Sequence, residues 1–157
     1  MLKIIQSYME LDYGAIFAIY EESLQKEFTE ERLLEDIKLS LHKHDGKLLL
    51  WDHNGKYVAA VRCEPYLDGY LIYGLETRPD YRRHGFATKL VEATIQYFAP
   101  QEKRLYSHIH KRNKPSLKLH EKLGFVECND YAKLIDGTIS QNYITVVYVN
   151  KNTDMAK

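Results

Sequence analysis

Arg82, Arg83, His84 and Gly85 stand directly before an amphipathic segment, Phe86 to Phe98. An apolar segment, Tyr70 to Leu75, precedes them, and Pro79-Asp80 breaks it. The expected order is strand, short polar loop, helix. The first amides of a helix have no internal partner, and the helix dipole makes that end positive. Gly85 lets a ligand come close to the backbone, and two arginines stand beside it. These residue types in this order suit an anion such as a pyrophosphate. Arg83, His84, Gly85, Phe86, Ala87 and Thr88 can supply amide donors, and Thr88 a hydroxyl. Arg82 and Arg83 can add charge-assisted bonds to phosphate oxygens. The pattern is neither the three-glycine dinucleotide fingerprint nor a P-loop, which ends in Gly-Lys-Ser/Thr. A loop with two solvated arginines would look the same by itself.

Other ionisable residues sit where burial would be costly without a purpose. Glu76 follows Leu75 at the end of the first strand, and His108 lies on the next expected strand, Arg104–His110. Strand alternation puts His108 and His110 on one face and Ile109 on the other. His120 falls in a helix that begins near Pro115. Cys63 and Cys128 match no metal or redox spacing and are expected as two reduced thiols, with no metal site.

The rest of the chain must position these groups. Leu2–Gln6 is expected as an edge or near-edge strand. Asp12 and Thr29 are expected caps of two helices, with apolar residues at helical spacing up to Leu24 and Leu41. Lys47–Trp51 and Tyr57–Cys63 flank Asn54-Gly55, a strong hairpin turn signal. Asp68-Gly69 turns the chain into the strand Tyr70–Thr77. Pro100 ends the helix 85–98, and Gly124 is an expected left-handed cap of the next one. Phe125–Ile135 and Tyr143–Val149 read as a long antiparallel pair joined through Asp136-Gly137, and the polar tail 150–157 is expected to fray. The order is mixed α/β. Strands 70–77 and 104–110, joined through a helix, should be parallel.

At 157 residues the chain fits one domain, 1–157, able to bury a real core. No apolar run is long enough to span a bilayer, and the N-terminus lacks a signal-peptide pattern, so a soluble cytoplasmic protein with no membrane partner is expected. Net charge is zero, which argues against a dedicated nucleic-acid binder despite the basic stretch 103–122. Positions 21–36 are strongly acidic, including Glu22, Glu27, Glu30, Glu31 and Glu35. Opposite charge on different segments fits a protein handling an anionic ligand on one side and a cationic one on the other.

Arg82-x-x-Gly85-x-Ala87 after a strand resembles the acyl-CoA signature of the GNAT N-acetyltransferases, and the lead-in Arg78-Pro79-Asp80-Tyr81 is similar as well. Asn113-Lys114-Pro115-Ser116 through Leu119-His120-Glu121-Lys122-Leu123-Gly124-Phe125 resembles a second segment of that family. The resemblance is sharpest over 70–125. It implies a mixed, mostly antiparallel central sheet with flanking helices, in which the two parallel strands splay and hold the thioester arm. It implies acetyl-CoA as cosubstrate and a primary amine of a small molecule or peptide as acceptor. By the same resemblance, Arg82 to Thr88 hold the pyrophosphate. The backbone at Leu75 and Thr77, beside Glu76, pairs with the pantetheine amides as an added strand would. Asn113 reaches the pantetheine arm, with Ser116 among the cofactor positions; Asn113 is equally a favoured helix cap.

Amine acetylation needs a neutral amine, a donor for the oxyanion and a proton for the leaving thiolate. In the family a tyrosine usually supplies that proton, and here His120 occupies the matching position. An imidazole, with a reference pKa of about 6.5 against about 10 for tyrosine, donates more readily near neutrality. Glu76 and His108 both match places where family members carry a base, and Glu76 is slightly preferred; a base acting through water, with no dedicated side chain, is the other option. Acidic residues of 21–36 and tyrosines Tyr13, Tyr20, Tyr131 and Tyr143 fall in regions that shape the acceptor pocket in the family. Three classes compete: an N-acetyltransferase acting by direct attack, a non-catalytic acyl-CoA-binding module, and a nucleic-acid binder. The oligomeric state stays open, a homodimer being one option.

Overall fold

A computed structural model of the chain describes residues 1–26 and 29–149. Glu27 of the acidic run and the tail 150–157 lie outside the described residues. The chain forms two compact units, one of Met1–Glu64 with Gly74–Thr94, the other of Pro65–Tyr73 with the residues from Ile95 on.

The first unit opens with β1 (Leu2–Ile5), α1 (Tyr13–Ile19), α2 (Glu21–Lys26) and α3 (Glu30–Lys43). Both expected caps form. The Asp12 carboxylate accepts from the Ala15 amide at 3.1 Å, and the Thr29 hydroxyl accepts from the Arg32 amide at 3.1 Å. Each satisfies a donor that the first helical turn would leave open. The single helix expected from Asp12 to Leu24 is instead two. Tyr20 leaves the α region (φ −93°, ψ 17°) between α1 and α2. Its ring is buried and its hydroxyl donates to the Gly74 carbonyl at 2.6 Å, so a core anchor sits at the bend. Next come β2 (Lys47–His53) and β3 (Lys56–Tyr66), paired antiparallel from Lys47↔Cys63 to His53↔Lys56. Asn54 and Gly55 both take positive φ (53° and 83°), as a tight hairpin turn requires. The Asp52 carboxylate accepts from the Gly55 amide at 2.8 Å. β1 lies along β2 as an edge strand, Leu2↔Trp51 to Ile5↔Leu48. The core of this unit gathers Ile5, Ile16, Ile19, Ile37, Leu48 and Leu50, so the helices bury their 3.6-period faces on the sheet.

β4 (Gly69–Thr77) begins in the second unit and ends in the first. Its start pairs parallel with β5 (Arg104–His110), Gly69↔Arg104 to Ile72↔Ser107, reached through α4 (Phe86–Phe98). Only glycine fits at 69, because a Cβ there would stand 1.9 Å from the Arg104 carbonyl oxygen. After β5 come α5 (Lys114–Lys122), β6 (Val126–Asn129), β7 (Ala132–Lys133), β8 (Ile139–Ser140) and β9 (Tyr143–Tyr148). β9 pairs antiparallel with β5 on one side and with β6 on the other. The strands follow the order β1-β2-β3-β4-β5-β9-β6, a seven-stranded, mostly antiparallel sheet with one parallel pair, flanked by helices. The long strand expected over Phe125–Ile135 breaks in two. The register against β9 shifts between Glu127 and Asn129, and the Tyr131 carbonyl accepts from the Thr145 hydroxyl at 2.8 Å. β7 then pairs with β8 in a separate two-stranded sheet. Cys63 is a buried free thiol and Cys128 an exposed one.

Candidate active site

The loop between β4 and α4 belongs wholly to the first unit. Its start is tied to β3, the Arg78 amide donating to the Val58 carbonyl at 2.8 Å. Pro79–Tyr81 makes one short 3-10 turn. The chain then reverses through two left-handed residues, Arg83 (φ 65°) and Gly85 (φ 80°). Alternating handedness of this kind turns successive amides toward one concave face. His84 is fixed between them: its Nδ1 lies 2.9 Å from the Arg82 carbonyl, so Nδ1 carries the proton and donates. The His84 ring lies parallel to that of Phe86, centroids 6.1 Å apart. Phe86 is buried, with His53 at 4.7 Å, and anchors the first turn of α4. The first α4 bond runs from the Lys89 amide to the Gly85 carbonyl, 3.1 Å. Amides of Phe86, Ala87 and Thr88 therefore lie ahead of the helical ladder. Arg82, Arg83, His84 and Gly85 are exposed. Among the described residues, nothing beyond Gly85 and its two chain neighbours lies within 4 Å of the point a Gly85 Cβ would occupy. The residues present thus fit a diphosphate: amides ahead of the helical ladder, positive side chains and an open approach to the backbone at Gly85.

Two of the expected site residues have partners that sequence reasoning missed. The Glu76 carboxylate, at the end of β4, accepts a short hydrogen bond from the Ser23 hydroxyl. The Arg82 guanidinium donates through Nη1 to Glu22 and through Nε to the Thr77 carbonyl at 3.3 Å. Glu22 also takes Lys26 at 2.8 Å. Lys26 first, then Arg82, hold the Glu22 carboxyl down at about 2. The acidic run signalled α2 only as a charged segment. Partners 53 and 60 residues apart leave no local pattern to read.

The second unit holds the other four. The Asn113 side chain caps α5, accepting from the Ser116 amide at 3.2 Å. His120, only 3 % exposed, sits one turn below Ser116. Its Nδ1 is 2.8 Å from the Ser116 carbonyl oxygen. A carbonyl can only accept, so Nδ1 bears the proton and Nε2 is the lone-pair nitrogen. Nε2 is buried without a hydrogen-bond partner among the described residues. Phe125 meets the ring edge-on at 4.9 Å. Burial pushes the His120 pKa below 6.5, the Ser116 carbonyl opposing it only in part. His108 on β5 is half-buried, with Tyr66 edge-on at 5.4 Å, a buried and unpartnered Nε2, and a pKa likewise lowered by desolvation. Both imidazoles are therefore neutral near pH 7. Of the tyrosines expected near the acceptor, Tyr20 is a core residue. Tyr13 is exposed, with Lys38 5.5 Å from its ring centre, and Tyr143 packs against His110.

Among the described residues, no group of three or more His, Cys, Asp or Glu is arranged to hold a metal ion. No described helix is long and apolar enough to cross a membrane.

A mixed sheet with one parallel pair, and a glycine-turned loop opening the crossover helix, together define an acetyltransferase fold. The chain belongs to the acetyltransferase (GNAT) family, whose model matches residues 13–125. Members of that family transfer acyl groups from acetyl-CoA. Solved structures similar to this chain share its fold. The ribosomal-protein-S18-alanine N-acetyltransferase from Escherichia coli is 22% identical with a TM-score of 0.67, covering 95% of this chain and 94% of that one. The ribosomal-protein-alanine N-acetyltransferase from Brucella melitensis is 15% identical with a TM-score of 0.71, covering 96% and 99%. The PaiA N-acetyltransferase from Thermoplasma acidophilum, solved in complex with coenzyme A, is 13% identical with a TM-score of 0.65, covering 96% and 99%. No curated protein matches the chain.

Proposed function

We propose that the protein is an acetyl-CoA-dependent N-acetyltransferase that acts as one domain and acetylates a primary amine of a small molecule or peptide by direct attack. The observation that carries this reading is the loop Arg82–Gly85, whose left-handed Gly85 leaves the backbone open where α4 begins. Amides of Arg83 to Thr88, with Arg82 and Arg83, take the diphosphate. The Leu75 and Thr77 backbone pairs with the pantetheine amides, and Asn113 and Ser116 add contacts to that arm.

Glu76, a carboxylate, takes the proton of the incoming ammonium and leaves a neutral amine. His108, neutral and with an available lone pair, is the other base of suitable chemistry. The amine nitrogen bonds the thioester carbonyl carbon, giving a tetrahedral oxyanion with a positive nitrogen. The His120 tautomer sets what that residue can do next. With its Nδ1 proton held by Ser116, it has none on Nε2 to give at the outset. It first accepts the proton of the new N–H⁺ at Nε2, then passes it to the thiolate as the carbon–sulfur bond breaks. Acetylated amine and CoA leave, and one histidine serves as acceptor and then donor.

A thiol-release assay across polyamines, amino acids and N-terminal peptides tests the reading, with CoA binding measured first by calorimetry. Turnover on at least one amine supports it. Activity confined to anionic or hydroxyl acceptors overturns the amine assignment. CoA binding without turnover on any acceptor makes the protein an acyl-CoA-binding module.

A further inference from the structure

We infer that α2 is a clasp that couples cofactor binding to release of the base: Glu22 holds the phosphate-binding Arg82 while Ser23 holds Glu76. This rests on the reading that the Arg82–Thr88 loop takes a diphosphate and that Glu76 is a base. Consecutive residues on one helical turn reach both groups, Glu22 to Arg82 Nη1 and Ser23 to a Glu76 oxygen.

Three properties make the contact a clasp rather than a fixed brace. First, Glu22 is charged at neutral pH and sits on the guanidinium that a phosphate would claim. Second, the pair is exposed, 42% and 40% at the two side chains, and an exposed ion pair is weak and easily screened. A diphosphate brings more charge and finds the backbone amides as well, so it wins the competition for Arg82. Third, α2 is six residues long and none of them is fully buried, Leu24 resting partly buried against the core. So short a helix has little stability of its own, and the Leu24 contact lets its first turn shift without unseating the helix from the core. When Glu22 loses Arg82, one polar tie of this turn to the β4–α4 segment is gone. Ser23 then lets go of Glu76, and the carboxylate oxygen that accepted from it takes a proton in place of that hydrogen bond. Glu22 and Ser23 are positioning residues: they act through Arg82 and Glu76.

The test titrates CoA into wild-type protein, Glu22→Gln, Arg82→Gln and the double variant by calorimetry. Hydrogen–deuterium exchange of residues 21–26 is followed with and without saturating CoA. Removing the competing charge should tighten CoA about two- to fivefold, the range expected for one exposed ion pair. The gain should vanish when Arg82 is already Gln, a coupling that a merely structural Glu22 would not show. Exchange in α2 should speed up when CoA binds to the wild type. Equal affinity of wild type and Glu22→Gln, or α2 exchange unchanged by bound CoA, overturns the clasp and leaves the loop's function standing. Absence of CoA binding in every variant overturns both. Binding by Glu22→Gln alone supports the clasp in its strongest form.

Discussion

Replacing Gly85 by alanine separates the glycine's two roles, because other turns provide matched controls. Gly85 has φ 80°, and Gly55 (83°) and Gly137 (90°) share its left-handed backbone. At all three, a Cβ would meet nothing within 4 Å among the described residues beyond its own chain neighbours. Alanine therefore costs the same kind of energy at each site, about 1–2 kcal/mol for placing an L-residue in the left-handed region. A change of 1 kcal/mol moves the melting temperature of a domain this size by about 2–4 °C. The three variants should thus melt lower by similar amounts. They should differ in ligand binding. The open space at Gly85 lies beside the amides proposed to take a diphosphate, and on that reading a methyl group there would hold the phosphates off at least one of them. A hydrogen bond to a charged group is worth about 1.5–3 kcal/mol, so CoA should bind roughly 10- to 150-fold more weakly to Gly85→Ala. Gly55→Ala and Gly137→Ala should bind it as the wild type does. Calorimetry alongside thermal melts reads both quantities. Wild-type CoA affinity in Gly85→Ala, with the same melting loss as the controls, would refute the reasoning.

Three more predictions follow from the site. At saturating CoA, Glu76→Gln should lower kcat about 100-fold and His108→Gln less than about tenfold, with CoA affinity kept in both; the reverse ranking in stopped-flow thiol release assigns the base to His108. Asn113→Ala should cost about 1 kcal/mol through the lost α5 cap, while Asn113→Asp keeps the cap. If the Asn113 amide also touches pantetheine, both variants weaken CoA binding, whereas an effect of the alanine variant alone marks a purely structural cap. His120 and His108 have folded-state pKa values below 6.5, so in the window just under 6.5 the unfolded chain binds more protons than the native one. Stability should then rise with pH in that window and fall as pH drops through the folded pKa values, each histidine contributing a slope of at most about 1.4 kcal/mol per pH unit. Urea melts from pH 5 to 7.5 should show a shallower slope in His120→Phe than in the wild type; an unchanged slope contradicts the buried, neutral imidazole.

Local chemistry was legible wherever one short segment decides it. Asp12, Thr29 and Asn113 cap the helices they precede, because a cap needs only the amide three residues ahead. Asn54-Gly55 turns the hairpin for a similarly local reason. The parallel pairing of β4 and β5 followed from the intervening helix. What escaped depends on distant partners. The break at Tyr20 accompanies a hydroxyl bond to Gly74, and the strand break near Asp130 accompanies a hydroxyl bond from Thr145 to Tyr131. Thr94 shows how little the apolar pattern says of single positions: it is fully buried on the inner face of α4, its hydroxyl turned back to the Leu90 carbonyl at 2.8 Å. At the candidate site, His120 was visible as a residue type. Its tautomer was not, because that depends on which nitrogen meets the Ser116 carbonyl. The ties of α2 to Arg82 and Glu76 cross more than fifty residues and had no counterpart in the sequence pattern.

The central claim is that backbone amides opening α4 grip the diphosphate of CoA. An amide-resolved NMR titration with CoA tests it directly. The largest shifts should fall at the amides of Gly85, Phe86, Ala87 and Thr88, saturating together. Saturable shifts confined to other segments, with these four amides unmoved, would contradict it.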